Sequence, residues 1–361
     1  MKVNFSLALA GLAALASSSP CQAKPVTTNS TMLSHWPSAA ATSLEAMIKR
    51  NAHTGAYAAF DMDNTSWRFD VEESLIPYLD NKGVLSRDKL DPSLKIIPFK
   101  DTATYKESLY SYYSRLCDID AMVCYPWAAQ VFSGMKLREL KGWVDELMTF
   151  EGGIINTTQW VGNAVQNVSV SRPIPFRAQQ QLYNALMDNG ISVYVVTASN
   201  EELVRMVASD PKYGYNVPPA NVIGVTTLLS NASDPSNPTT ARKAIEDGVY
   251  DPEAFLDLTI TPYLWTPATW MSGKYGAILT YISQWRKAVL VAGDTPDSDG
   301  YMLFHDVDVA KGGVRLWINK KQSNMDQLQG MIANNTMEQA SLGQEVTADK
   351  NWVIVKPEEI L

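Results

Sequence analysis

Residues 55–65 read GAYAAFDMDNT, a short apolar run opened by a glycine and closed by two carboxylates two residues apart. An apolar run of this length before a polar turn is the pattern of a strand buried on both faces of a parallel sheet. In open α/β sheets ligands bind beyond the carboxyl ends of the strands, which is where Asp61 and Asp63 emerge. Carboxylates this close repel one another unless a proton or a divalent cation relieves them.

Two further runs have the same form. Residues 191–196 (ISVYVV) lead to Thr197, with a helix expected from Glu201, and residues 288–292 (AVLVA) lead to Gly293-Asp294 and the acidic turn GDTPDSDG. Lys274 lies in SGKYGAI at an expected helix start, and another helix is expected over residues 41–50. Between the first two strands lie more than 100 residues, mostly helical in pattern. Within them LRELKGWVDELM sets Leu137, Leu140, Val144, Leu147 and Met148 on one face. The Pro/Asn/Ser-rich stretch 230–240 reads as a surface excursion. Strands alternating with helices predict an α/β core with a parallel sheet, and the long insert a separate cap.

The chain has 361 residues, 46% hydrophobic and 19% charged, which excludes disordered, collagenous and coiled-coil classes. Its 30 Lys+Arg against 38 Asp+Glu give a net charge of −8. With no basic run in sight, neither nucleic acid nor an anionic membrane surface is an expected partner. No internal stretch is long and apolar enough to span a bilayer. Lys2, the apolar run 5–16 and the small residues up to Ala23 have the layout of a secretory signal peptide, residues 1–23. A periplasmic or secreted location is therefore expected. Cys117 and Cys124 then remain in the mature chain, as a disulfide or as two buried thiols. Triplets of the Asn-X-Ser/Thr type at Asn29, Asn64, Asn156, Asn167, Asn231 and Asn334 carry no argument about the host.

Asp61 and Asp63, then Thr197, Lys274 and Asp294, follow the order of the four-motif signature of the haloacid-dehalogenase-like phosphohydrolase superfamily, which the chain resembles. The stretches DMDNTSWRFDVEESL, SYYSRLCDIDAMVCYPW, TPYLWTPATWMSGK and VAGDTPDSDGYMLF go beyond that minimum and resemble its bacterial phosphorylcholine phosphatases. The resemblance implies a Rossmann-like parallel sheet with helices on both faces, formed by residues 24–70 and 180–361, and a mainly helical cap at 71–179. It implies Asp61 as nucleophile, Asp63 as general acid and base, Thr197 and Lys274 as phosphoryl ligands, and Mg²⁺ as cofactor, with Zn²⁺ an alternative. The metal would be held by Asp61, Asp63 through its carbonyl, Asp294 and one acid of the last motif. Asp299 is favoured for that place over Asp297, with the choice left open. The implied substrate is phosphocholine, its quaternary ammonium held by Glu73 (rather than Glu72), Tyr112 and Tyr113, with Trp67 and Trp265 as further aromatics. The rival readings are a broad-specificity exported phosphatase, a phosphoethanolamine phosphatase, and an inactive choline-binding protein.

Overall fold

The computed structural model describes residues 32–265 and 267–361; the signal segment 1–23, Cys21 and Asn29 lie outside them. Six strands form the central sheet: β1 (Tyr57–Phe60), β2 (Ser192–Asn200), β3 (Val222–Val225), β4 (Leu290–Gly293), β5 (Val314–Ile318) and β6 (Trp352–Val355). Their order is β6-β5-β4-β1-β2-β3, and every pairing is parallel. The three runs singled out in the sequence are β1, β2 and β4, side by side at the centre.

Parallel strands need both faces covered, and the side chains of β1 show how. Ala58 and Phe60 point to one face, where α1 (Ser38–Asn51) packs through Leu44, Met47 and Ile48, and a helix at Arg177–Asp188 through Leu182 and Leu186. Tyr57 and Ala59 point to the other, towards helices Ser272–Tyr281, Pro296–His305 and Gln322–Ser341. Each fully buried Leu, Ile or Phe contributes about 1.5–3 kcal/mol. The layers are thus helix, sheet, helix.

The long insert carries α2 (Val71–Asn81), α3 (Leu109–Ile119), α4 (Ala121–Gln130) and α5 (Leu137–Met148). The five apolar residues read onto one face of α5 are all buried. The Cys117 and Cys124 sulfurs are bonded, tying α3 to α4 with Cα atoms 4.9 Å apart. Trp67–Arg68 pairs with Ile174–Pro175 and closes the neck of the insert. The boundary expected at 179/180 falls inside the helix Arg177–Asp188, which we label α6 and which packs whole against the sheet. The insert is also less helical than its pattern: Ile154–Val161 and Ala164–Ser171 form a hairpin turned at Gly162, whose φ is +60°. Its strands are exposed along much of their length, so no apolar alternation betrayed them.

The stretch read as a surface excursion belongs to a three-stranded antiparallel sheet of Thr227–Asn231, Asp234–Thr239 and Thr259–Leu264. Its edge strand Asp234–Thr239 is exposed, as expected, but the opposite edge strand is hydrogen-bonded to the turn before α5, where Gly134 N donates to the Ile260 carbonyl at 2.8 Å and Ile260 N to that of Met135 at 3.0 Å. No helix among the described residues is long and apolar enough to cross a membrane.

Candidate active site

Beyond β1 the chain turns sharply, and the turn alternates. Met62 is buried in the core, while Asp61 and Asp63 face a cavity of about 170 Å³. The Met62 carbonyl accepts from the backbone N–H of Thr65, Ser66 and Trp67, and Asn64 takes the left-handed φ of +58° that such a turn needs. The remaining walls come from other strand ends and from the insert. Asp70, Glu72, Glu73, Tyr113 and Tyr125 line the cavity from the insert, and Thr197, Ser199, Lys274, Asp294, Thr295, Ser298 and Lys320 from around the sheet.

Lys274, at the start of α7 (Ser272–Tyr281), is fully buried. Its Nζ lies 2.7 Å from Asp61 Oδ1 and 2.7 Å from Asp299 Oδ1. Asp299 Oδ2 accepts from the backbone N–H of Asp294 and Thr295, at 2.9 and 3.0 Å. Gly293 makes this possible: a Cβ there would lie 2.6 Å from that of Asp299. Asp297, the alternative acid, is exposed and accepts from Gln327, so Asp299 joins the cluster and Asp297 does not. Asp61, Asp294 and Asp299 offer one oxygen each within 4.8 Å of one another. An all-carboxylate set of this kind suits a divalent, oxygen-seeking cation, and among the described residues no His or Cys lines the cavity to favour a softer one. Thr65 and Thr295 hydroxyls donate to the two oxygens of Asp294, at 3.0 and 2.8 Å.

Burial, and then the Asp299 charge, push Asp61 well above the usual carboxylate range, against the pull of Lys274. Burial opposes the Lys274 ammonium, but Asp299 and Asp61 outweigh it and raise its pKa. Asp63 is pushed up to about 7 by burial and by Asp70. Its Oδ1 accepts from Trp67 Nε1 (2.6 Å) and the Val71 N–H (2.9 Å), and its Oδ2 shares a hydrogen bond with Ser199 Oγ (2.5 Å). With Oδ1 saturated, a proton on Asp63 resides on Oδ2. Thr197 sits where β2 runs on past its partner β1 and its pairing with β3 is irregular, and its Oγ1 accepts from the Ser199 N–H at 3.2 Å.

Of the residues expected around a quaternary ammonium, the structure brings in Glu73 and Tyr113, whose hydroxyl donates to Glu73 Oε1 at 3.3 Å. Asp70 caps α2 by accepting from the Glu73 N–H, which aims that first turn at the cavity. Glu72 is buried and accepts from the Asn200 N–H at 2.6 Å, so its carboxylate ties the insert to β2. Tyr112 is a correction: it is wholly buried, its hydroxyl exchanges hydrogen bonds with Ile97, and its ring stacks on Phe99 at 4.3 Å. Adjacent helix positions point about 100° apart, so Tyr112 and Tyr113 do not face one cavity together. Tyr125 of α4 is the second tyrosine that lines the cavity. Trp67 donates to Asp63 and does not line the cavity, and Trp265 is exposed and not among the lining residues.

Sequence reasoning missed Asp70, Tyr125, Ser199 and Lys320. Only Lys320 had a readable signal, a cation just after the apolar run of β5.

No family model matches the chain. Over 332 residues, 92% of its length, it is 62% identical to the phosphorylcholine phosphatase of Pseudomonas aeruginosa, of which 94% is covered. A conserved, functionally unknown protein from Anaerococcus prevotii has a similar fold, with a TM-score of 0.55 at 17% identity over 83% of this chain and 90% of that one.

Proposed function

The chain belongs to the phosphorylcholine phosphatase family of phosphoric monoester hydrolases, and from that premise we propose that it hydrolyses phosphocholine to choline and phosphate by way of a phosphorylated Asp61. The observation that carries the substrate is a cavity whose lining holds two chemically different sets of groups. Asp61 and Lys274, paired at 2.7 Å, stand with Thr197 in one, and Glu73 and Tyr113, joined at 3.3 Å, with Asp70 and Tyr125 in the other. A quaternary ammonium donates no strong hydrogen bond and is held by aromatic faces and carboxylates, for about 2 kcal/mol when desolvated.

A carboxylate oxygen of Asp61 attacks phosphorus, and the P–O bond to choline breaks. Asp63 gives its Oδ2 proton to the leaving alkoxide, then takes one from the water that attacks the phosphorylated Asp61, which releases phosphate and restores both carboxyls. Thr197 donates to a phosphoryl oxygen, and Lys274 offsets the charge that develops there. Asp61, Asp294 and Asp299 would hold Mg²⁺, with the Asp63 carbonyl as a further ligand. When bound, that ion supplies the charge neutralisation that keeps Asp61 ionised and draws electron density from phosphorus.

The deciding experiment is a substrate panel with and without chelator. Phosphate release that stops with chelator and favours phosphocholine over uncharged esters by about tenfold or more supports the reading. Equal rates on all esters would point to a broad-specificity phosphatase. A preference for phosphoethanolamine or no release at all would point to the other two rivals.

Two predictions belong here. Glu73→Ala should lower kcat/KM for phosphocholine about 10- to 30-fold and leave p-nitrophenyl phosphate, which has no cation, within about twofold. Equal losses on both would remove Glu73 from the cation site. The second concerns pH. A carboxyl raised to about 7 is protonated below that pH and able to serve as acid in the first step. kcat/KM for phosphocholine should therefore fall as pH rises through about 7, while p-nitrophenolate, which leaves without a proton, shows a flatter profile. Identical profiles would rule out Asp63 as the acid.

A periplasmic or secreted location follows from the signal-like N-terminus and sits well with the Cys117–Cys124 bond. N-terminal sequencing of the exported protein should begin near Lys24.

A further inference from the structure

Lys320 is outside the four motif positions, two residues past the end of β5. It lines the same cavity as Asp61, Thr197 and Lys274. Its ammonium pairs with Asp294 Oδ2 and donates to Thr295 Oγ1 at 3.0 Å. An ammonium has three N–H groups, so one remains for a partner in the cavity. Lys274 also has two partners but is only 1% exposed, whereas Lys320 keeps 26% of its side chain exposed.

The charge of the cavity gives that third N–H its importance. Among the described residues its lining has six carboxyl groups, Asp61, Asp63, Asp70, Glu72, Glu73 and Asp294, and two ammonium groups, Lys274 and Lys320. A phosphate dianion approaching such a lining is repelled. Of the two cations, Lys320 is the more exposed and so the more accessible to it.

Resting on the phosphatase reading, we propose that Lys320 is a second phosphate-binding lysine: its ammonium donates to an oxygen of the substrate's phosphoryl group, and of product phosphate, while still bonded to Asp294. Such a contact is made in ground state and product alike, so it appears in KM and in phosphate affinity more than in kcat.

The test measures binding of inorganic phosphate to Mg²⁺-supplemented protein by calorimetry, alongside steady-state kinetics on phosphocholine and p-nitrophenyl phosphate, for wild type, Lys320→Met and Lys320→Arg. Expected for Lys320→Met is a phosphate Kd raised about tenfold or more, the scale of one charge-assisted hydrogen bond. KM should rise on both substrates alike, and Lys320→Arg should return to within about threefold of wild type. A phosphate Kd within about twofold of wild type, with kcat lowered, overturns the proposal, since Lys320 would then act only by orienting Asp294. Should Lys320→Met fail to fold, Lys320→Gln against Lys320→Arg makes the same comparison. Wild type that binds phosphate but cleaves no ester would sink the phosphatase reading and leave the Lys320 comparison standing.

Discussion

Asp61→Asn should lose turnover on every phosphate ester by about 10⁴-fold or more, the scale on which loss of a nucleophile is felt, and should fold as well as wild type. The second half follows from the electrostatics. Asp61 is 6% exposed, and burial and Asp299 both disfavour its ionised form. Lys274, which loses one partner, keeps Asp299 at 2.7 Å, and an asparagine oxygen can still accept from its ammonium. Because the folded-state pKa of Asp61 is raised, its ionisation costs stability progressively as pH rises from the unfolded value through the folded one. The asparagine variant escapes that cost, so its melting temperature should match wild type in acid and equal or exceed it at neutral pH. Phosphate-release assays beside thermal melts check both halves. Activity within about a hundredfold of wild type would disqualify Asp61 as the nucleophile.

What was legible beforehand was whatever is local in sequence. β1, β2 and β4 could be read because a strand covered on both faces is a continuous apolar run, and the polar residue that ends each run is delivered to the same edge of the sheet. Asp61, Thr197 and Asp294 are therefore neighbours by topology, and order alone could suggest it. The side chain of Asp299 completing the cluster, rather than Asp297, depends on helix phase and on the space left by Gly293. The cation end was less legible. Tyr112 and Tyr113 are equivalent as a pair of letters, and only the pitch of α3 and its packing against Phe99 separate them. Tyr125 reaches the cavity because α4 lies against α3, a tertiary fact. The exposed hairpin 154–171 escaped notice for the opposite reason: its strands bury too little to be patterned.

Lys274→Met should be the most damaging single change to stability. Removing one partner of a buried ion pair leaves an uncompensated charge and costs about 3–5 kcal/mol. Here it leaves two carboxylates, Asp61 and Asp299, that had shared one ammonium at 2.7 Å each. The melting temperature at neutral pH should fall by roughly 5–10 °C, and activity should fall with it. The deficit should depend on pH with a definite sign. Without the lysine, Asp61, already raised by burial and by Asp299, loses the charge that pulled it down. The loss is therefore small in acid and grows as pH rises through the raised folded value of Asp61. The same reasoning predicts a rescue. Lys274→Met with Asp61→Asn leaves only Asp299, whose Oδ2 still accepts two backbone N–H bonds, so the double variant should melt above Lys274→Met alone. A double variant that gains no more over Lys274→Met than Asp61→Asn gains over wild type would mean that the two side chains do not share one electrostatic site, and the reading of Asp61, Lys274 and Asp299 as one charge cluster would lose its energetic basis.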